Sequence, residues 1–212
     1  MKALLAGYQR FRKNRWPEQR DRFEALAEKG QEPRALVLAC IDSRVDPAMI
    51  FDTAPGETLT VRNVANLVPP YAPDTAYHGT SAALEFGVRI LKVPHLMVLG
   101  HGLCGGVRAL LEGAPNAARE FVAPWMSMAA EARERALRCA TVEERQRCCE
   151  YEVIKVSLRN LVSFPWIAEA VDAGQLQLHG AWFNVHTGVL MTMRPDGSFA
   201  SEAAVRASRE QA

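Results

Sequence analysis

Two apolar runs constrain this chain more than any other feature. Ala35-Leu36-Val37-Leu38-Ala39 leads into Cys40-Ile41-Asp42-Ser43-Arg44, and His95-Leu96-Met97-Val98-Leu99-Gly100 leads into His101-Gly102-Leu103-Cys104. Short runs rich in leucine and β-branched residues, bounded by turn signals, read as strands buried on both faces of a parallel sheet. Ligand sites in open α/β sheets lie beyond the carboxyl ends of such strands. If both runs share one sheet, two thiols and an imidazole converge at one edge. Two Cys and one His with a fourth position open form a catalytic zinc set. A structural zinc needs a fourth protein ligand, and near either run only Asp42 offers itself.

The rest of the chain alternates in the same manner. Leu4, Leu5, Tyr8 and Phe11 recur at helical spacing, with Arg10, Arg12, Lys13 and Arg15 on the other face; Pro17 then starts a second helix that ends at Gly30. A basic amphipathic start fits a membrane-surface segment or an arm packed on another subunit, and the arm needs only its apolar stripe covered. Thr58–Arg62 reads as a strand, 74–93 as a helix with small residues early, and 105–113 as a helix. Further helices are expected over 116–138, 141–163 and from Pro165 to Gly174. Leu176–Leu178, Ala181–Val185 and Val189–Met193 read as a closing hairpin. The fold class expected is α/β: a mainly parallel sheet covered by helices on both faces, with an N-terminal helical arm (1–30) and a C-terminal antiparallel hairpin. One domain over 1–212, with its α/β core from residue 34, is the simplest organisation for 212 residues.

Composition narrows the function classes. With 49% apolar residues, 23% charged residues and a net charge of +1, the chain has no overall bias toward nucleic acid or an acidic membrane surface. No run approaches membrane-spanning length, and the apolar start is too short for a signal peptide. Five cysteines, two of them adjacent (Cys148-Cys149), do not form a secreted disulfide pattern. A cytoplasmic protein with reduced thiols is expected, Cys139, Cys148 and Cys149 being structural, with the adjacent pair open to oxidation.

Gly100-His101-Gly102-Leu103-Cys104-Gly105 also matches the dinucleotide fingerprint G-x-G-x-x-G. That motif requires a second strand ending in an acidic residue some twenty positions on. The residue there, Glu120, lies in a helical stretch with no strand before it. The glycines instead suit a tight turn whose amides open toward an anion at a helix N-terminus. In an extended segment residues 40, 42 and 44 share one side, which brings Asp42 and Arg44 to the candidate ligand Cys40. Arg44 can clamp the Asp42 carboxylate with two parallel bonds.

Cys40-Ile41-Asp42-Ser43-Arg44 together with His101-Gly102-Leu103-Cys104-Gly105-Gly106 resembles the β-class carbonic anhydrases. The likeness extends to Pro55-Gly56-Glu57, Arg62–Tyr71, Gly79-Thr80, Ala82–Glu85 and Ser157–Leu161, nearly the whole chain. It implies a zinc lyase, with one zinc per chain on Cys40, His101 and Cys104. The implied reaction is the reversible hydration of carbon dioxide to bicarbonate and a proton, by attack of zinc-bound hydroxide oriented by an Asp42–Arg44 dyad. The resemblance also implies a homodimer or a dimer-based higher oligomer, with a substrate pocket at the subunit interface formed by Gln31, Leu59, Val64, Phe86 and Gly105. Leu59 and Phe86 stand where plant members have Phe and Tyr, so the pocket stays apolar but lacks a phenolic hydroxyl. Val37, where bicarbonate-regulated members have Trp, together with Ala39 and Gln31, matches the plant-like type whose site is open, with Asp42 on Arg44 rather than on the metal. Relatives that hydrolyse carbonyl sulfide or carbon disulfide share the ligand motif, so that chemistry stays open at this point, as does a non-enzymatic zinc module. His78, His95, His179 and His186 are each possible proton shuttles.

Overall fold

A computed structural model of the chain describes residues 1–201; residues 202–212 of the expected domain lie outside the described residues. Helix α1 (Lys2–Arg10) passes through a π-turn at Phe11–Arg15 into α2 (Trp16–Lys29). Pro17 stands just after that π-turn, and Gly30 ends the helix with φ of 84°. Neither α1 nor α2 buries a residue in this chain, and Leu4, Leu5 and Tyr8 are exposed.

Three strands follow with their crossovers: β1 (Ala35–Cys40), α3 (Pro47–Ile50), β2 (Thr58–Asn63), α4 (Gly79–Glu85) continuing as a π-turn at Phe86–Ile90, and β3 (His95–His101). After them come α5 (Gly105–Glu112), α6 (Val122–Ser127), α7 (Ala130–Ala136), α8 (Val142–Leu161), α9 (Pro165–Asp172), β4 (Gln177–Phe183), β5 (Leu190–Met193) and β6 (Phe199–Ser201). The six strands form one sheet in the order β2-β1-β3-β4-β5-β6. The first four in that order run parallel, β5 pairs antiparallel with β4, and β6 antiparallel with β5.

Alternation along the strands divides the core. Leu36 and Leu38 of β1, with Leu96 and Val98 of β3, face Leu84, Val88, Ile154, Leu158 and Leu161 from α4, its π-turn and α8. Val37, Ala39, Leu99 and Ala181 face the other way, toward Ile50 and Phe51 at the end of α3. Gly100 permits the close approach of α8, since a Cβ there would stand 2.7 Å from Ile154 Cδ1.

Three local expectations are corrected. The helix expected from Asp74 begins at Gly79, because the Asp74 carboxylate accepts from the Ala76 amide at 2.6 Å and closes a turn instead. The stretch 116–138 divides into a 3₁₀ turn, α6 and α7, with Pro124 in the first turn of α6 and an interruption at Met128–Ala129. Leu176–Val185 supplies one strand, β4, which pairs parallel to β3 over its whole length before turning into β5.

Candidate metal centre

The site is a product of register. Leu36–Ala39 pair parallel with Leu96–Leu99, so Cys40, the last residue of β1, comes level with Gly100, and His101 ends β3 one step further. The chain then turns at Gly102-Leu103, with Leu103 in the left-handed region (φ 56°), and Cys104 caps α5. Cys40, His101 and Cys104 are all buried, and one ligand atom from each lies within 4.8 Å of the others. The two sulfurs are 3.9 Å apart.

Donor chemistry here fits a metal ion. His101 Nδ1 lies 2.9 Å from the Gly102 carbonyl, which can only accept, so Nδ1 carries the proton and Nε2 presents a bare lone pair. Nε2 is buried and has no hydrogen-bond partner. The Cys104 hydrogen bond holds the Cys40 thiol well below its ordinary pKa, while the same contact and burial push Cys104 up. One proton leaves the pair readily, and the second needs a cation to replace it. Burial pulls His101 down, but the charge of the neighbouring Cys40 thiolate and the Gly102 carbonyl raise it on balance.

Beside these three, Asp42 and Arg44 form a two-pronged pair, Arg44 Nε to Asp42 Oδ1 at 2.9 Å and Nη2 to Oδ2 at 2.7 Å. Those bonds hold the Asp42 carboxyl far below the usual range. Asp42 Oδ2 stands 3.9 Å from His101 Nε2. Arg62, at the end of β2, donates to the Cys40 and Asp42 carbonyls at 2.9 and 2.7 Å and pairs with Asp46 at 3.2 Å. It pins the end of β1 at Cys40 and the loop that carries Asp42.

The expected pocket residues fall into two groups. Val64 and Gly105 lie at the metal end: a Cβ on Gly106, next to Gly105, would come within 2.8 Å of Val64 Cγ1. Leu59 pairs with Leu36 while Asn63 pairs with Cys40, so Leu59 is four strand positions, roughly 13 Å, away from the ligand. Phe86 precedes Gly87, which packs on Leu36 and Leu59, and Gln31 borders Phe23, Leu26 and Pro55 near the start of the strands. Within one chain, then, Gln31, Leu59 and Phe86 are not brought to Cys40, His101 and Cys104.

A cleft of about 510 Å³ opens beside the site between Ile41, Val64, Tyr77, His78, Phe121 and Trp125. Of the candidate shuttles, His78 lines this cleft and bonds Asp74 at 2.7 Å. His95 and His179 pair with each other at 3.2 Å, His95 being the first residue of β3 and so at the opposite end of that strand from His101. His186 sits in the turn between β4 and β5.

Two surroundings were not foreseen. Cys139 is joined to Cys148 by a disulfide, correcting the expectation of free structural thiols; the chain folds back between α7 and α8 and brings the two together. Cys40, Cys104 and Cys149 are free. Behind Cys104, Glu150 and Gln146 of α8 and Trp182 of β4 form a buried polar cluster. Burial raises the Glu150 pKa against the pull of its donors. The signal for this pair is two polar residues spaced i, i+4 on the apolar stripe of α8.

Fold and site define an α/β protein with three residues placed to hold a metal ion at the carboxyl edge of a mainly parallel sheet. A family model described as carbonic anhydrase matches residues 35–190. Beta carbonic anhydrase 3 of Arabidopsis thaliana is 36% identical over 194 residues, covering 89% of this chain and 74% of the relative. Beta carbonic anhydrase 5, chloroplastic, of the same plant is 38% identical over 82% of this chain, which spans only 58% of that relative. The solved structure of the β-carbonic anhydrase CcaA superposes with a TM-score of 0.86 at 31% identity, covering 95% of this chain and 91% of the other. This chain belongs to the carbonic anhydrase family, in its β class.

Proposed function

We propose that this protein hydrates carbon dioxide reversibly to bicarbonate and a proton, using one zinc ion per chain held by Cys40, His101 and Cys104. The observation that carries this reading is the convergence of two buried thiols and an unpartnered imidazole nitrogen beside an arginine-clamped carboxylate. When bound, the zinc supplies the Lewis acidity that makes a water nucleophilic near neutral pH. Asp42, ionised and acceptor-only, takes the hydrogen bond of the attacking oxygen and turns its lone pair toward the carbon of carbon dioxide. Arg44 holds that carboxylate in place and keeps it from the metal, the open arrangement. A new C–O bond gives bicarbonate, and the released proton passes to buffer.

Val64 and the start of α5 at Gly105 border the reacting centre. We assign Gln31, Leu59 and Phe86 to the same pocket through a second copy of the chain. Their distance from the ligands within one chain and the uncovered apolar stripe of α1 support a homodimer or a larger dimer-based assembly. We read the described chain as one domain, because all six strands share one sheet. Among the described residues no helix is long and apolar enough to cross a membrane. We keep the cytoplasm as the proposed location, with the Cys139–Cys148 disulfide, a bond usual in oxidising compartments, as the observation against it, and fractionation as the test.

Zinc analysis combined with stopped-flow carbon dioxide hydration tests the proposal. One zinc per chain with rapid hydration is the expected result. A zinc-loaded protein that leaves carbon dioxide untouched while hydrolysing carbonyl sulfide or carbon disulfide would overturn it.

A further inference from the structure

Three ligands do not account for what lies behind Cys104. Glu150 is 3% exposed, in the middle of the buried stripe of α8. Its Oε1 accepts from the Cys104 amide at 3.0 Å and from Gln146 Nε2 at 2.8 Å, and its Oε2 accepts from Trp182 Nε1 at 3.0 Å. Gln146 Nε2 also donates to the Cys104 carbonyl at 3.1 Å. Both polar groups of the Cys104 backbone are therefore tied to one turn of α8.

Each of the three groups bonded to the carboxylate is an N–H donor, and no N–H can accept. Both oxygens must act as acceptors, which only a carboxylate provides. Helix packing asks for no carboxylate here, since apart from Gln146 and Ser157 the stripe carries residues such as Cys149, Val153, Ile154 and Leu158. A buried carboxylate is costly to desolvate unless it is fully bonded. The turn before Cys104 cannot place the thiol by local preference alone, because Leu103 occupies a left-handed conformation that a side chain disfavours by about 1 kcal/mol.

We propose that Glu150 is a positioning residue for the metal centre, bridging the Cys104 peptide to Trp182 and so fixing the direction of the Cys104 thiolate. The proposal rests on the reading of Cys40, His101 and Cys104 as metal ligands. Glu150→Gln keeps the size of the side chain but must turn an N–H toward an N–H whichever way the amide lies. Trp182→Phe removes one of those donors and relieves the conflict.

The test measures zinc affinity by competition with a chromophoric chelator. It also records the absorption spectrum of the cobalt(II)-substituted protein at metal saturation, where a loss of global stability leaves the ligand bands unmoved. Wild-type protein without thiolate-to-cobalt absorption would remove the ligand assignment and the proposal with it. With that absorption present, Glu150→Gln should bind zinc ~10–100-fold more weakly, the range for partners that orient ligands, and should shift the cobalt bands. The double variant Glu150→Gln/Trp182→Phe should recover most of the loss, or fold where the single variant does not. Wild-type affinity and spectrum in Glu150→Gln, or a double variant worse than either single one, would overturn the proposal. Should neither glutamine variant fold, Gln146→Leu decides: it keeps the carboxylate, removes two of these bonds, and must weaken zinc and shift the bands, an unchanged protein overturning the proposal.

Discussion

Arg44 reaches two loops at once: its guanidinium bonds both oxygens of Asp42, at 2.9 and 2.7 Å, and its Nη2 also donates to the Leu103 carbonyl at 3.1 Å. The loops that follow Cys40 at the end of β1 and lead from β3 into Cys104 are thereby joined by one planar cation. A lysine has a single charged point and cannot reproduce that fork.

Asp42→Asn should retain zinc and lose activity by ~10²–10⁴-fold, the range for a positioned group that handles the proton of the nucleophile. Metal analysis beside stopped-flow hydration checks this. A fully active variant removes the dyad from the mechanism, and an inactive one without metal makes Asp42 a ligand.

Cys40→Ala, His101→Ala and Cys104→Ala should each lose most of the zinc, because each removes one of three protein ligands and leaves a buried gap. Elemental analysis of the purified variants is the measurement. One zinc per chain together with full activity in any of them contradicts the assignment.

Hydration should rise with pH from about 6 to about 9. Two thiolates would cancel the charge of a zinc ion held by Cys40, His101 and Cys104, so such an ion would acidify water less than one on three neutral histidines. On the proposed mechanism the nucleophile would be deprotonated water, so activity would be lost as pH falls through that water's pKa. Asp42, held far below the usual carboxyl range by Arg44, stays ionised throughout this window and adds no limb of its own. A flat profile with chemistry limiting the rate speaks against this.

Alkylation of the denatured, unreduced protein should label three cysteines, Cys40, Cys104 and Cys149, and leave Cys139 and Cys148 protected. Cys148→Ser should lower stability by about 2–3 kcal/mol, from the loop closure that the bond provides. Five labelled thiols would restore the reduced state expected from the sequence.

Thr141→Ala should cost ~1 kcal/mol in denaturant unfolding. Thr141 and Glu144 exchange bonds at the start of α8, Oγ1 accepting from the Glu144 amide and the Glu144 carboxylate accepting from the Thr141 amide, both at 3.1 Å. An unchanged midpoint would mean that the cap contributes nothing.

The ligand runs were legible because a buried parallel strand leaves an unbroken apolar pattern and its end is marked by chemistry. Cys40 and His101 could be placed at one edge from β1 and β3 alone. The Asp74 turn was not legible, since a carboxylate that bonds an amide two residues on competes with a helix start that the sequence also permits. Glu150 escaped notice because its role depends on Trp182 and Cys104, 32 and 46 residues away. The disulfide pairs Cys139 with Cys148 across the α7–α8 turn, a meeting that spacing alone does not dictate. Gln31, Leu59 and Phe86 came from resemblance, and one chain gives no physical reason for them to meet the ligands.

The pairing of Leu36–Ala39 with Leu96–Leu99 has a kinetic consequence. Cys40 and His101 belong to strands separated by the whole β2–α4 crossover, so no local segment contains the metal site. A contact between strands so far apart in sequence forms slowly, because the intervening chain must be ordered before pairing rewards it. Until β1 and β3 lie side by side, an incoming ion meets only the short Cys-and-His turn of residues 101–104. During refolding, metal uptake should therefore follow sheet assembly, so that the rate at which the site captures added zinc would time the crossover rather than the turn.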